Sequence, residues 1–350
     1  MRSHVPVTTL LIASLTLAAG ARGDPASPPP AGRPVKVFVL AGQSNMEGKA
    51  KVSLLDYQVR QPATRDRFKH WLAANGKWAE RDDVSVKFLD RKGKLTVGFG
   101  SKDCVGPELE FGRVVGEAYA EPVLLIKTAW GGRSLYRDFR PPSAGLPPDA
   151  VLEKALAKMR EKKPAATMED VKAPFGASYR AMLEEVRSTL ADPKAHVSGY
   201  AGQGYELAGF VWFQGWNDMI DDAATAEYAA NLGHLIRDVR KDLGVPNLPV
   251  VVGQMGVGGA NADAKVKAFK DAQASGVAAP EFAGNVALVK TDVFWDAEAE
   301  AVYKKGWREH KAEWDTVGSD YPFHYLGSGK TMFAIGRALG EAAVALGAKK

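Results

Sequence analysis

Residues 35–46 read VKVFVLAGQSNM: an apolar run, Val35–Ala41, that passes without a break into Gly42-Gln43-Ser44-Asn45-Met46. A short run rich in Val and closed by Gly is the pattern of a strand buried on both faces, as in a parallel sheet. Ser44 then stands at a strand-to-helix turn, where a side chain is exposed and the helix N-terminus behind it favours developing negative charge. That makes Ser44 a candidate nucleophile. A serine that merely caps the helix is the plain alternative.

The same rhythm recurs down the chain. Val123–Thr128 (VLLIKT), Leu207–Phe213, Leu248–Gln254 and Val286–Thr291 are predicted as four more strands. Helices are predicted over Pro107–Ala120, with Pro at its first position, and over Tyr179–Leu190, Ala224–Leu243 and Ala262–Ala274. A last helix presents Met332, Ile335, Leu339, Ala342 and Leu346 at alternating spacings of three and four. Five near-continuous apolar strands separated by helices predict an α/β three-layer sandwich around a roughly five-stranded parallel sheet. Two stretches, roughly 49–105 and 138–175, break the rhythm and are read as insertions in one domain spanning 35–350.

Composition narrows the class. The chain has 350 residues, 46% hydrophobic and 25% charged, the balance of a globular protein. One cysteine makes no internal disulfide and no multi-cysteine metal site. The 46 Lys plus Arg exceed the 41 Asp plus Glu by only five, without a concentrated basic run, so nucleic acid is not an expected partner. No metal-binding motif is visible, and no cofactor is expected.

The N-terminus has the form of an export signal: Arg2, an apolar stretch from Val5 to Ala19, and the small-residue pattern Ala19-Gly20-Ala21. The expected mature chain starts after residue 21, with a proline-rich tether over 22–34. The apolar stretch is short for a membrane span. A secreted or periplasmic protein is therefore expected, with no stable membrane insertion after cleavage.

Ligands of open parallel sheets bind beyond the carboxyl ends of the strands, and three further polar clusters fall at such ends or near the C-terminus. Thr128-Ala129-Trp130-Gly131-Gly132-Arg133-Ser134 follows the second strand, and adjacent glycines there let the backbone come close to a ligand. Gln214-Gly215-Trp216-Asn217-Asp218 follows the third; the Asn217 amide is a candidate oxyanion donor, with helix capping by Asn217 or Asp218 as the alternative. Asp320-Tyr321-Pro322-Phe323-His324 precedes the last helix and puts an imidazole near a carboxylate. Of the six histidines, His4 lies in the signal, His234 and His310 in helical patterns, and His70 and His196 in loops without a nearby catalytic pattern. His324 is left as the candidate base. Nucleophile, base and oxyanion donors in this order are the parts acyl transfer needs.

With these blocks the chain resembles the SGNH hydrolases, and among them the sialate O-acetylesterase-like and acetylxylan esterase proteins of carbohydrate esterase family 6. The likeness is carried by LAGQSNMEG at 40–48, VGPELEFGR at 105–113, TAWGGRSL at 128–135 and VWFQGWNDM at 211–219. It implies a flavodoxin-like fold, Ser44 as nucleophile and His324 as base. It also implies an oxyanion hole made of the Ser44 N–H, a Gly132 or Gly131 N–H and the Asn217 side chain. In one respect the chain departs from the family, which usually places its acid three residues before the histidine. Tyr321 stands there, and Asp320 one residue earlier is the expected acid, with Asp315 or a backbone carbonyl as alternatives.

Trp130 and Trp216 flank the oxyanion elements and either stack on sugar rings or pack. Gln43, Gln214 and Gln254 follow strands and are candidates to bond sugar hydroxyls; Arg133 meets either an acidic sugar or a surface carboxylate. Gly327-Ser328-Gly329-Lys330-Thr331 has the tail of a phosphate-binding loop but lacks its leading glycine, since His324 occupies that position. The expected function is a secreted serine esterase removing O-acetyl groups from acetylated xylan or sialic-acid-type glycans. The rival readings are a broad small-ester esterase and a non-catalytic glycan-binding protein of the same fold.

Overall fold

A computed structural model describes residues 32–348. The expected signal peptide over 1–21 and the tether up to residue 31 lie outside the described residues. In chain order the strands are β1 Val35–Gly42, β2 Ala50–Lys51, β3 Arg81–Phe88, β4 Arg91–Leu95, β5 Cys104–Val105, β6 Val123–Ala129, β7 Tyr205–Phe213, β8 Val250–Gln254 and β9 Val286–Lys290. β2 and β5 form a short antiparallel ladder of their own. The other seven make one sheet in the order β4-β3-β6-β1-β7-β8-β9, parallel throughout except for β4.

The sheet is thus seven-stranded, not roughly five-stranded. All five expected strands are present, and their order β6-β1-β7-β8-β9 is the 2-1-3-4-5 arrangement of flavodoxin-like sheets. The two extra strands come from the stretch read as an insertion. β3 adds to β6 in parallel with Val84, Val86 and Phe88 fully buried, and β4 folds back on it through a turn at Leu89-Asp90. Asp83, Ser85 and Lys87 alternate with those apolar ones, so β3 carries no continuous apolar run.

The helices Glu108–Ala118 and Gly329–Gly347 pack against each other, and the second also meets β7, β8 and β9. Gly336 sets how closely they approach: a Cβ there would lie 2.2 Å from the Pro107 carbonyl oxygen. The helix Gly329–Gly347 explains the loop-like glycine motif. Ser328 is its N-cap, accepting from the Thr331 N–H and donating to Asp296 at 2.6 Å. Among the described residues no helix is long and apolar enough to cross a membrane.

Candidate active site

The chain leaves β1 for β6 on one side and later returns to β7 on the other, so the strand order reverses between β1 and β7. A crevice opens at such a switch point beyond the strand ends. Gly42 closes β1 there at φ +155, with the Phe213 carbonyl oxygen 2.1 Å from where a Cβ would stand. Only glycine lets the two strand ends come this close.

Ser44 is the first residue of a one-turn helix, Ser44–Glu47, whose N-cap is Gln43 without a side-chain cap. The capping alternative for Ser44 therefore does not hold. Its side chain is nearly enclosed, and its Oγ lies 3.5 Å from Gln43 Nε2.

Gln43 organises the next layer. Its Oε1 accepts from the backbone N–H groups of Gly215 (3.1 Å) and Asn217 (3.4 Å) and from Gln214 Nε2 (3.1 Å). Backbone N–H groups only donate, so Oε1 and Nε2 of Gln43 cannot be exchanged. Nε2 must then donate, and it does so to Asn217 Oδ1 at 3.2 Å. That contact turns Asn217 so that its Nδ2 is left without a protein acceptor among the described residues. The helix Trp216–Met219 is capped by Gly215 without a side chain, so Asn217 and Asp218 are not its N-cap.

The Gly131-Gly132 turn comes beside Ser44: a Cβ on Gly131 would lie 4.0 Å from Ser44 Cβ, whereas Gly132, at φ +71, faces open space. The N–H groups of Ser44, Gly131 and Gly132 donate to no protein acceptor among the described residues. Asp218, fully buried, holds this turn in place. Its carboxyl accepts from the N–H groups of Leu135 and Tyr136, both at 2.8 Å, and from Gln214 Nε2 at 2.5 Å. Burial pushes that carboxyl up to about 7, against the pull of Gln214 and the two backbone donors.

His324 sits in the turn Pro322–Gly327, which contacts the Ser44 turn. Asn45 Nδ2 ties the two by donating to the Phe323 carbonyl at 3.1 Å. Tyr325 and Leu326, which follow, adopt left-handed φ values of +52 and +61, a conformation costly for non-glycine residues. Tyr325 holds it: its buried hydroxyl receives the Gly256 N–H at 2.7 Å and meets Thr291 Oγ1 at 2.7 Å. His324 Nδ1 lies 3.1 Å from Asp320 Oδ1, yet the ring N–H is not aligned on it, so the two groups are close without a directed hydrogen bond. Burial raises the Asp320 carboxyl, but His324, the Tyr321 N–H and Lys49 outweigh it and hold the group below its ordinary value. Asp315 is engaged elsewhere, by Lys311. No hydrogen bond joins Ser44 to His324 among the described residues.

The residues expected to touch sugar divide. Gln43 and Gln214 are buried in the network just described, with Gln214 Oε1 also receiving Tyr228 Oη at 2.9 Å. Gln254 Nε2 donates to the Lys270 carbonyl at 2.8 Å, which ties β8 to the helix Ala264–Gly276. Arg133 pairs with Asp138 at 3.2 Å, and Trp130 packs on Phe139 with ring centroids 5.8 Å apart. Trp216 is half-buried against Phe323 at 5.4 Å. Sequence reasoning passed over Asp218, Asn45 and Tyr325 as site-builders; only the acid next to Asn217 gave any signal.

A family model described as carbohydrate esterase, sialic acid-specific acetylesterase (SASA) matches residues 34–299. A probable carbohydrate esterase of Arabidopsis thaliana is 33% identical over 60 residues, which are 17% of this chain and 23% of that relative's length. An X-ray structure of an Arabidopsis thaliana protein superimposes with a TM-score of 0.51 at 16% identity, covering 89% of this chain and 98% of that one, which shows a shared fold. A carbohydrate acetylesterase from Xanthomonas citri aligns with a TM-score of 0.44 at 13% identity, over 73% of this chain and 49% of that one. The family match takes in every strand of the sheet and both blocks that carry Ser44 and Asn217. The chain belongs to the SASA family of carbohydrate esterases.

Proposed function

We propose that the protein is an exported serine esterase that removes O-acetyl groups from carbohydrates, acetylated xylan or sialic-acid-type glycans, through an acyl-enzyme. Ser44 Oγ attacks the acetyl carbonyl while His324 takes its proton. The new oxyanion accepts from the N–H groups of Ser44 and of Gly132 or Gly131, and from Asn217 Nδ2. Collapse of the tetrahedral adduct expels the sugar oxygen, which His324 protonates, and water then releases acetate by the same route. The observation that carries this reading is the forced orientation of Asn217 by Gln43, which leaves an amide donor free beside Ser44. A serine-directed phosphonate tests it. Labelling at Ser44 in folded protein supports an activated nucleophile; an unlabelled Ser44 ends the esterase reading.

Three expectations follow from the geometry. Asn217→Ala is expected to lower kcat by about 10²–10³-fold, the usual loss for one oxyanion donor. Gln43→Leu should lose a large part of the same factor, because Asn217 is then free to turn, and the double variant should be little worse than Asn217→Ala alone. Fully multiplicative losses in 4-nitrophenyl acetate hydrolysis would mean that Gln43 acts independently of Asn217. Asp320→Asn is expected to lower kcat by only about ten- to a hundredfold, well short of the roughly 10⁴ that follows loss of a buried, aligned triad acid. A loss as deep as that of His324→Ala would show a fully coupled acid, and no loss at all would give the orientation of His324 to the backbone.

A further inference from the structure

A groove of about 630 Å³ is lined by Asp320 and Tyr321, the segment that leads into His324. Its volume falls in the roughly 300–1,000 Å³ range of small-molecule sites, with room for more than one sugar ring. One wall is the start of the helix Val52–Gln58, with Lys51 and Ser53; the other is the turn carrying Trp307 and the helix Lys311–Val317. Among its charged lining residues Lys51 and Lys311 stand against Asp315 and Asp320, with Lys311 paired to Asp315, so the lining is neutral overall.

The aromatic rings define a path. Trp307 meets Tyr321 edge-on at 6.3 Å, Tyr321 stacks on Phe323 at 5.4 Å and 8°, and Phe323 lies 5.4 Å from Trp216, next to Asn217. Tyr321 is 42% exposed, a large apolar ring left open to solvent between the groove and the catalytic turn. Rings in a row with hydroxyl, ammonium and carboxylate groups beside them suit sugars, whose C–H faces stack on aromatics while their hydroxyls bond at the rim. A neutral lining favours uncharged sugars over a run of acidic ones.

We propose that this groove is a subsite for further neutral sugar rings of the substrate, so that the protein deacetylates an oligo- or polysaccharide chain and not a free monosaccharide. The inference rests on the esterase reading above. Trp307→Ala removes the outer ring, and Ser53→Trp, at an exposed position of the opposite wall, fills the groove without touching the core. Acetate release is measured from acetylated xylo- and cello-oligosaccharides and, in parallel, from 4-nitrophenyl acetate. Both variants are expected to lose about tenfold in kcat/KM on the oligosaccharides, through KM, with 4-nitrophenyl acetate kinetics unchanged. Unchanged oligosaccharide kinetics in both variants, or equal losses on the two kinds of ester, overturn the groove proposal and leave the esterase reading standing. A wild-type protein that releases acetate from neither kind removes both.

Discussion

Ser44→Ala is expected to reduce kcat for acetate release by about 10⁴–10⁶-fold, to the level that binding and oxyanion donors alone sustain. The change removes one oxygen from a side chain that is 5% exposed and whose only neighbour within hydrogen-bond reach among the described residues is Gln43 Nε2 at 3.5 Å. At that distance the contact contributes little, so stability should change by less than about 1 kcal/mol. The proposed oxyanion donors stay where they are, because Asn217 is held by Gln43 and the Gly131-Gly132 turn by Asp218, neither through the Ser44 hydroxyl. KM should therefore move little while kcat collapses. His324→Ala should fall nearly as far, and the double variant no further, since in the proposed mechanism nucleophile and base act as one unit. Urea unfolding and acetate release, measured side by side, check both halves. A Ser44→Ala protein retaining a tenth of wild-type turnover would show that another group attacks the ester.

The difference between what the residues announced and what they hid has a physical cause. β1, β6, β7 and β8 are buried on both faces, and such strands must be apolar at nearly every position, while β9, at the sheet edge, is only half-buried yet still apolar from Val286 to Val289. They are visible as runs. β3 sits toward the edge and alternates, Val84 and Val86 inward between Asp83, Ser85 and Lys87, and its turn uses Leu89 at φ +52 where a Gly or Asn would have marked a hairpin. Nothing local signals it. The site follows the same division. Ser44 and Asn217 stand directly after strands and could be placed by position alone. Gln43 also follows a strand, but its burial depends on Gly215 and Asn217 arriving from β7, so a sequence places it at the site and misjudges what it touches. Asp218 is harder still. Its partners Leu135 and Tyr136 lie some eighty positions earlier in the chain, and no spacing rule links them.

The second large effect concerns stability and involves a charge hidden inside β6. Lys127 is fully buried, and its ammonium donates at 2.7 Å each to the Glu47 carbonyl, the Phe99 carbonyl and Glu108 Oε2. All three N–H directions are used. Glu108, equally buried, spends its other oxygen on the Gly106 N–H at 3.0 Å. Burial pulls the Lys127 ammonium below its ordinary value, with Glu108 acting in the opposite sense. Lys127→Met leaves the Glu108 carboxylate without its counter-charge and two carbonyls without a donor, and it should lower unfolding free energy by about 3–5 kcal/mol. Glu47 ends the helix that Ser44 begins, so activity should fall as well. The pairing makes a sharper demand than the single variant does. Adding Glu108→Gln removes the stranded charge while keeping an acceptor for Gly106, so the double variant should be more stable than Lys127→Met alone by about 1–3 kcal/mol, with the two unmet carbonyls still holding it below wild type. Equilibrium urea unfolding of the four proteins in the cycle measures this coupling. A double variant no more stable than Lys127→Met would mean that the carbonyls, and not the buried carboxylate, are what Lys127 is needed for.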